Sequence, residues 1–168
     1  FLDQKKNKVV IRAFRPDADR AFLETELFPK KPEFEKIHAS GLFELVVEHN
    51  KIFEYKVQYK KSDGHSWALT DPYSFLPILT DFDLHLFNEG NFHRAYEKMG
   101  AHIRIHQGVE GVHFAVWAPE AKRVSVVGLF NGWDGRVHQM RVLGASGVWE
   151  IFIPGLVEGE LYRYEIKD

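Results

Sequence analysis

The feature of the sequence that most constrains the fold is an internal repeat, because repeated segments indicate repeated structural units. Three segments of the first half recur in the same order in the second half. The offset between the copies grows from 103 to 106 to 109 residues, so small insertions accumulate in the second copy. The matched segments are residues 13–20 with 116–123, residues 39–47 with 145–153, and residues 53–57 with 162–166. The repeat therefore predicts that the 168 residues form two small modules of similar structure.

Both copies have the residue pattern of β-strands. Side chains alternate in character along residues 112–117 and 161–166, which is the period of two expected of a strand. The strands are short, and turn-forming clusters such as Asn-Gly-Trp-Asp-Gly and Pro-Gly separate them. Aromatic residues, which favour strands, make up 14% of the chain. The pattern predicts an all-β fold in which each module is a sandwich or a barrel.

One short helix is predicted between the copies, at about residues 80–89. Thr80 and Asp83 have the spacing of a capping box, and Gly90 can end the helix in the left-handed conformation. This capping role also explains Asp81 and Asp83 better than an acid/base pair does. A hydrophobic staple and a shared helix face are predicted for two pairs, Leu79 with Leu84 and Phe82 with Leu86.

Composition argues against several classes of protein. The net charge is only -2 and no long basic run is present, so nucleic acid is not an expected partner. The absence of cysteine excludes disulfides and thiolate metal sites, and it permits a reducing, cytoplasmic compartment. No apolar run approaches the length of about 18 residues that a membrane span needs. Because the chain starts at Phe1 rather than Met and stops at Asp168, we expect it to be a piece of something longer.

Several consecutive segments carry family motifs. Residues 92–102 read F-H-R-A-Y-E-K-M-G-A-H, residues 112–119 read V-H-F-A-V-W-A-P, and residues 124–135 read V-S-V-V-G-L-F-N-G-W-D-G. Residues 147–155 and 161–166 continue the series with G-V-W-E-I-F-I-P-G and L-Y-R-Y-E-I. Together they resemble the N-terminal region of 1,4-alpha-glucan (glycogen or starch) branching enzymes. The first half resembles the additional N-terminal module of the long-form bacterial enzymes.

The resemblance implies two tandem immunoglobulin-like β-sandwich modules joined by a short helix. The implied division is an N-terminal module at residues 1–78, a helical linker at 79–100, and a carbohydrate-binding module at 101–168 that is truncated at its C-terminal end. In such enzymes these modules precede a catalytic barrel that forms α-1,6 branches during glycogen biosynthesis. The implied role is non-catalytic: to position alpha-glucan chains (glycogen, amylose or amylopectin) and to pack on the barrel of the same parent chain.

The resemblance also supplies candidate binding residues. Trp133 lies in the F-N-G-W-D turn, where family members that bind glycogen stack a Trp on the sugar, and Asn131 and Asp134 flank it. Arg163 occupies the place of a basic residue that contacts sugar hydroxyls. Trp67 stands near the place of a second aromatic residue in the first module, which lacks the F-N-x-W turn. Each module therefore offers half of a binding platform, and weak binding is expected.

Other candidates receive structural interpretations. Trp117 and Trp149 are predicted to lie in the core, because both fall within strands. His102 and His106 have i, i+4 spacing, but in a strand they would lie far apart, so no metal site is predicted. No nucleophile elbow, phosphate-binding loop or dinucleotide motif is present. We therefore expect no catalytic residue and no cofactor in this chain.

Two other functions remain open at this stage. The chain could be a stand-alone glycogen-targeting or regulatory module, and the R-A-Y-E-K-M-G-A-H segment argues instead for a branching enzyme. It could also be an adhesion-type immunoglobulin-like pair without sugar chemistry. The missing cysteines and the F-N-G-W-D turn argue against that interpretation.

Overall fold

A computed structural model describes residues 2–3 and 7–168. The chain forms two compact units, Phe1–Ser74 and Phe75–Asp168. Among these described residues the secondary structure is mostly β, in small sheets, with one α-helix. Within the described residues, no helix has the length and apolarity that a membrane crossing requires. The three-part division at residues 78 and 100 stays a prediction.

The first unit contains two antiparallel sheets. One has the strand order β1-β2-β5-β4 and the other the order β3-β6-β7. Buried side chains from β2, β3, β5 and β6 form one core cluster, which includes Ile11, Leu23, Phe43 and Val57. The strands are β1 (Leu2–Asp3), β2 (Lys8–Phe14), β3 (Arg20–Glu24), β4 (Glu35–His38), β5 (Leu42–Glu48), β6 (Lys56–Lys60) and β7 (Ser66–Thr70).

The second unit has a four-stranded sheet of order β11-β12-β9-β8 and a two-stranded sheet of β10 and β13. Its main core cluster again draws on both sheets and includes Phe114, Val126 and Ile151. The elements are α1 (Asp81–Asn88), β8 (Gly100–His106), β9 (Val109–Trp117), β10 (Arg123–Gly128), β11 (Arg141–Val142), β12 (Val148–Pro154) and β13 (Tyr162–Lys167).

The internal repeat is reproduced in the strand pairing. Phe14 pairs with Leu42 in the first unit, and the matched residues Trp117 and Val148 pair in the second. The loop hydrogen bonds repeat as well, since the Arg15 N–H donates to Gly41 O and the Ala118 N–H donates to Gly147 O, each at 2.8 Å. These equivalences confirm the first two matched segments.

The third matched segment is out of register by two residues. Arg20 pairs with Lys60, and its counterpart Arg123 pairs with Lys167. Lys167 is therefore the structural equivalent of Lys60. The sequence match, with its offset of 109 residues, makes Lys167 the equivalent of Gln58 instead. A shift of two keeps the same side chains on the same face of a strand, so alternation alone could not reveal the error.

Helix α1 has the predicted ends. The Asp83 N–H donates to Thr80 Oγ1 at 3.2 Å and the Thr80 N–H donates to Asp83 Oδ2 at 2.9 Å, which completes the capping box. At the other end Gly90 has φ 73°, and the Asn91 N–H donates to Leu86 O at 2.9 Å, as in a Schellman motif. The helix confirms both predicted signals.

The packed face of α1 differs from the predicted one. Phe82 is 67% exposed, so it is not part of a packed face with Leu86. Leu84 and Phe87 instead pack against a cluster that contains Leu79 and Val148. Asp83, which is buried and accepts from Lys98 Nζ at 2.6 Å, lies on the inner side of the helix, and Phe82 points away from it.

A buried carboxylate ties the segment before α1 to the larger sheet of the second unit. Glu150 on β12 and His113 on β9 are almost completely buried, and His113 Nε2 lies 3.1 Å from Glu150 Oε2. The same carboxylate accepts the backbone N–H groups of Ile78 and Leu79, each at 3.1 Å. This connection was not visible in the sequence, because the partners are more than seventy residues apart along the chain.

The two strand tryptophans behave differently. Trp149 is buried, and its indole N–H donates to Ala118 O at 2.9 Å. Trp117 is 56% exposed, so the prediction that it lies in the core is wrong. It is the last residue of β9, and its ring lies 6.3 Å from that of Phe87 on α1.

Candidate functional site

The candidate site is built on the turn that follows β10. The chain leaves β10 at Gly128, makes a short helical turn at Leu129–Asn131, and then places Gly132 and Trp133 in the left-handed region with φ 62° and 60°. The Trp133 N–H donates to Gly128 O at 2.9 Å, which closes the turn. The left-handed conformation costs a residue other than glycine about 1–2 kcal/mol. A bulky Trp held there at such a cost is a candidate functional residue.

Asn131 holds this turn from inside the protein. Its Oδ1 accepts the Gly128 N–H at 3.0 Å, and its Nδ2 donates to Val126 O at 2.8 Å and lies 2.9 Å from His138 Nδ1. The side chain is buried. The structure therefore gives Asn131 a positioning role, and direct contact with a ligand, as the sequence predicted, does not fit its burial.

Trp133 and Arg163 lie together on the surface. The Trp133 side chain is 42% exposed, and the guanidinium carbon of Arg163 lies 5.8 Å from its ring centroid. Arg163 extends from β13, where it pairs with Val127 on β10. This cation–π contact places a basic group over the ring of a partly exposed tryptophan. The structure thus brings together the two side chains that the sequence singled out most strongly.

Asp134 forms the rim beside Trp133. Its Oδ2 lies 2.7 Å from Arg136 Nη2, and its Oδ1 accepts the Arg136 backbone N–H at 2.9 Å. The hydrogen bond from the Arg136 side chain lowers the pKa of the Asp134 carboxyl. The carboxylate is therefore ionised at neutral pH and acts only as a hydrogen-bond acceptor.

Sequence reasoning missed the support beneath the turn. Gly135 lies against the Glu165 carboxylate so closely that a Cβ would clash with it. Glu165 in turn forms an ion pair with Arg123 of the neighbouring strand. The sequence pattern of Asp134-Gly135 indicates a turn, although a glycine can equally mark a close approach.

Trp67 lies in the first unit, on β7, and is half-buried. Its ring stacks on Tyr59 at 5.8 Å and lies 5.4 Å from the His65 ring, and Lys61 Nζ is 5.8 Å from it. Trp67 therefore packs, partly buried, against the hydrophobic core of its unit. Its prediction as a sugar-binding residue stays a prediction.

The two histidines of β8 have local partners. His102 Nε2 lies 2.8 Å from Met99 O, and His106 Nε2 lies 2.9 Å from Leu76 O. Each ring is thereby held by a backbone carbonyl within its own unit. Among residues 2–3 and 7–168, no group of three metal-binding side chains comes together.

The Trp133 site has the chemistry of a surface that recognises polyhydroxyl compounds. It combines a flat apolar ring, a guanidinium with several N–H donors, and a carboxylate acceptor. It is a shallow surface on a turn, and all of its side chains come from the loop after β10 and from β13. Such a surface can bind and orient a ligand, but it holds no pair of groups arranged for proton transfer.

Family models match both parts of the chain. Residues 2–73 match the model described as "alpha-1,4-glucan branching enzyme GlgB, N-terminal domain". Residues 98–168 match "Carbohydrate-binding module 48 (Isoamylase N-terminal domain)". The turn with Trp133 and the strand with Arg163 both lie within the second match.

Curated proteins match across nearly the whole chain. A 1,4-alpha-glucan branching enzyme GlgB of Trichormus variabilis is 49% identical over 164 residues, which are 97% of this chain and 21% of that protein. The GlgB of Methylobacillus flagellatus is 46% identical over 167 residues, which are 99% of this chain and 23% of that protein. The chain spans about a fifth of the length of these relatives.

Among solved structures, a type I pullulanase of Bacillus subtilis crystallised with maltose aligns with 99% of this chain and 22% of its own, at 20% identity and a TM-score of 0.35. That superposition is too loose to assign a fold or a ligand to this chain.

Proposed function

This chain belongs to the N-terminal region of the 1,4-alpha-glucan branching enzymes, and we propose that it holds alpha-glucan chains for a catalytic barrel in the same protein. The observation that carries the proposal is the exposed Trp133 ring beside the Arg163 guanidinium. The branching reaction, which would contribute to glycogen biosynthesis, is assigned to the barrel. The chain itself has a non-catalytic role.

We also propose that each unit is an immunoglobulin-like β-sandwich. Two sheets contribute to one core cluster in each unit, and matched residues pair in the same way. A rigid sandwich supports the proposed role, because it presents the turn after β10 in a fixed position. The absence of cysteine is compatible with a cytoplasmic location for the parent enzyme.

In the proposed complex the apolar face of a glucose ring packs on Trp133. Arg163 donates hydrogen bonds to sugar hydroxyls, and the Asp134 carboxylate accepts them. An aromatic contact contributes on the order of 1 kcal/mol beyond the area it buries. One such ring supports only weak binding, in a range of about 1 mM.

The proposal is tested by electrophoresis of the chain through native gels with and without glycogen. Retardation is expected for the wild type and is expected to fall in Trp133→Ala. Trp117→Ala is the matched control, because Trp117 is also an exposed tryptophan of the second unit. Equal retardation of wild type and Trp133→Ala would place the glucan contact elsewhere.

A further inference from the structure

The turn that carries Trp133 also contains a chemically reactive dipeptide, Asn131-Gly132. A glycine after an asparagine leaves its own backbone nitrogen unhindered, so that nitrogen can attack the side-chain amide of the asparagine. No other asparagine of the chain is followed by glycine. A Cβ at Gly132 would meet no atom of a more distant residue within 4 Å, so packing does not shield the glycine on that side. Spontaneous deamidation is therefore expected at this dipeptide.

Deamidation here consumes a water molecule and releases ammonia. The Gly132 nitrogen loses its proton and bonds to Asn131 Cγ, and the bond from Cγ to Nδ2 breaks as ammonia leaves with that proton. The product is a cyclic succinimide. Water then adds to either carbonyl carbon of the ring and breaks its bond to nitrogen, so that residue 131 becomes aspartate or isoaspartate.

The folded turn keeps both reacting groups engaged elsewhere. The Gly132 N–H donates to Leu129 O at 3.2 Å, so its nitrogen is held within the turn. The Asn131 side chain is buried and has three polar partners of its own, at 3.0, 2.8 and 2.9 Å. Ring closure requires Asn131 Cγ to leave these partners and to approach the Gly132 nitrogen. The reaction therefore needs the turn to open.

The turn can open while the two sheets of the second unit persist. Residues 129–135 lie outside the strands, and local opening of such a segment costs less than global unfolding. Each intramolecular hydrogen bond shifts an equilibrium by up to about tenfold. Opening breaks the three polar contacts of the Asn131 side chain, so folding is expected to slow deamidation by about ten- to a thousandfold.

Either product would remove the support of Trp133. An aspartate at position 131 has only acceptor oxygens, so it cannot donate to Val126 O, and its charge would lie beside that carbonyl in a buried place. An isoaspartate adds a methylene group to the main chain between Gly128 and Trp133, whose hydrogen bond closes the turn. Trp133 would then lose its fixed position beside Arg163.

We infer that Asn131-Gly132 is a deamidation site whose rate is set by local opening of the turn, and that its deamidation inactivates the Trp133 surface. The site and its chemistry rest on the geometry of the turn. The loss of glucan contact rests on the proposed function.

The test measures the mass of the proteolytic peptide that contains Asn131 while the whole chain is incubated in mildly alkaline buffer. Deamidation raises that mass. The rise is expected to be about ten- to a thousandfold slower in the folded wild type than in the wild type unfolded by urea. Equal rates in the folded and unfolded chain would overturn protection by the turn.

Gly132→Ala in urea checks the chemical route, because an added methyl group hinders attack by the nitrogen of residue 132. Its deamidation in urea is expected to be slower than that of the wild type in urea. Since both chains are unfolded in this comparison, backbone strain in the turn does not enter it. A rate equal to that of the wild type would overturn attack by the Gly132 nitrogen.

Glu150→Gln separates local opening from global unfolding. Glu150 holds the segment before α1 on the larger sheet, whereas the turn follows β10 of the smaller sheet. The deamidation rate of this variant in the folded state is expected to equal that of the wild type. A rate that rises in step with the loss of unfolding free energy would show that the whole unit must unfold, and would overturn local opening.

Asn131→Asp is a stable form of one product and tests the consequence. Its Trp133 backbone N–H is expected to exchange with deuterium at least about tenfold faster than that of the wild type, and its retardation by glycogen is expected to fall. Unchanged exchange would overturn the effect on Trp133. Faster exchange with unchanged retardation would leave the deamidation site standing and contradict the proposed glucan contact. Unchanged amide signals outside residues 126–138 establish that the variant is folded.

Discussion

Removing the buried carboxylate of Glu150 is expected to destabilise the second unit strongly. Glu150 is 2% exposed and accepts hydrogen bonds from two backbone N–H groups, those of Ile78 and Leu79, while lying 3.1 Å from His113 Nε2. Glu150→Leu leaves those donors without an acceptor, and each buried, unsatisfied donor costs about 1–3 kcal/mol. The two donors together therefore cost about 2–6 kcal/mol. We expect a loss in this range for Glu150→Leu and a smaller one for Glu150→Gln, whose amide oxygen still accepts.

Urea unfolding in a Trp67→Phe background measures this effect in the second unit alone. The chain has four tryptophans, and the other three, Trp117, Trp133 and Trp149, all belong to the second unit. Fluorescence then reports that unit, and the midpoint and slope give the free energy of unfolding. A change below about 0.5 kcal/mol for Glu150→Leu, the size of an ordinary surface substitution, would refute the reasoning.

The same pair predicts a pH dependence. Burial alone would raise the pKa of Glu150, but the His113 ring and the Leu79 and Ile78 N–H groups outweigh it, and the pKa is lowered. A carboxyl with a lowered folded pKa stabilises the fold above its unfolded pKa of about 4.3, and this stabilisation is lost as the pH falls through the folded pKa. The stability difference between wild type and Glu150→Gln should therefore shrink below about pH 4.

Three further predictions concern the site, the chemistry and the surface. Trp133→Gly should be about 1 kcal/mol more stable to urea than Trp133→Ala. Glycine relieves the left-handed strain at φ 60°, and this gain exceeds the backbone entropy that glycine loses on folding. An Ala variant of equal or greater stability would contradict the argument from strain. Incubation of amylose with the pure chain should leave the iodine stain unchanged, and a shift in its colour would contradict the non-catalytic role. Self-association is expected at high concentration, because Ile103 and Ile105 are exposed on the edge strand β8. Sedimentation velocity should show less association for Ile105→Lys than for the wild type. A wild type that is monomeric at every concentration would contradict the expectation.

Local signals in the sequence predicted local structure well. The Thr80 and Asp83 capping box and the left-handed Gly90 are set by neighbours within a few residues, and the structure has them where the sequence predicts. The first two repeat segments were identified for a similar reason, since each contains a turn whose chemistry fixes its register. Trp133 is a candidate because its F-N-G-W-D turn resembles the turn on which family members stack a Trp against glycogen.

What the sequence could not predict depends on distant contacts. Trp117 falls within a strand, which led to the prediction that it lies in the core. It is the last residue of β9, however, and its exposure depends on tertiary packing. The sequence predicts Asn131 as a ligand contact. Its buried partners Val126 and His138, which give it a positioning role, are identifiable only in three dimensions.

The most direct test of the central claim is to observe Trp133 itself while glucan binds. Of the four indole N–H signals in a ¹⁵N spectrum, that of Trp133 should move on addition of maltoheptaose, together with the Arg163 side-chain signal, with a midpoint of about 1 mM. The Trp149 signal should stay in place, because its indole N–H is bound to Ala118 O inside the unit. An unmoved Trp133 signal at saturating maltoheptaose, or a response only at Trp117, would contradict the claim that this turn holds the glucan.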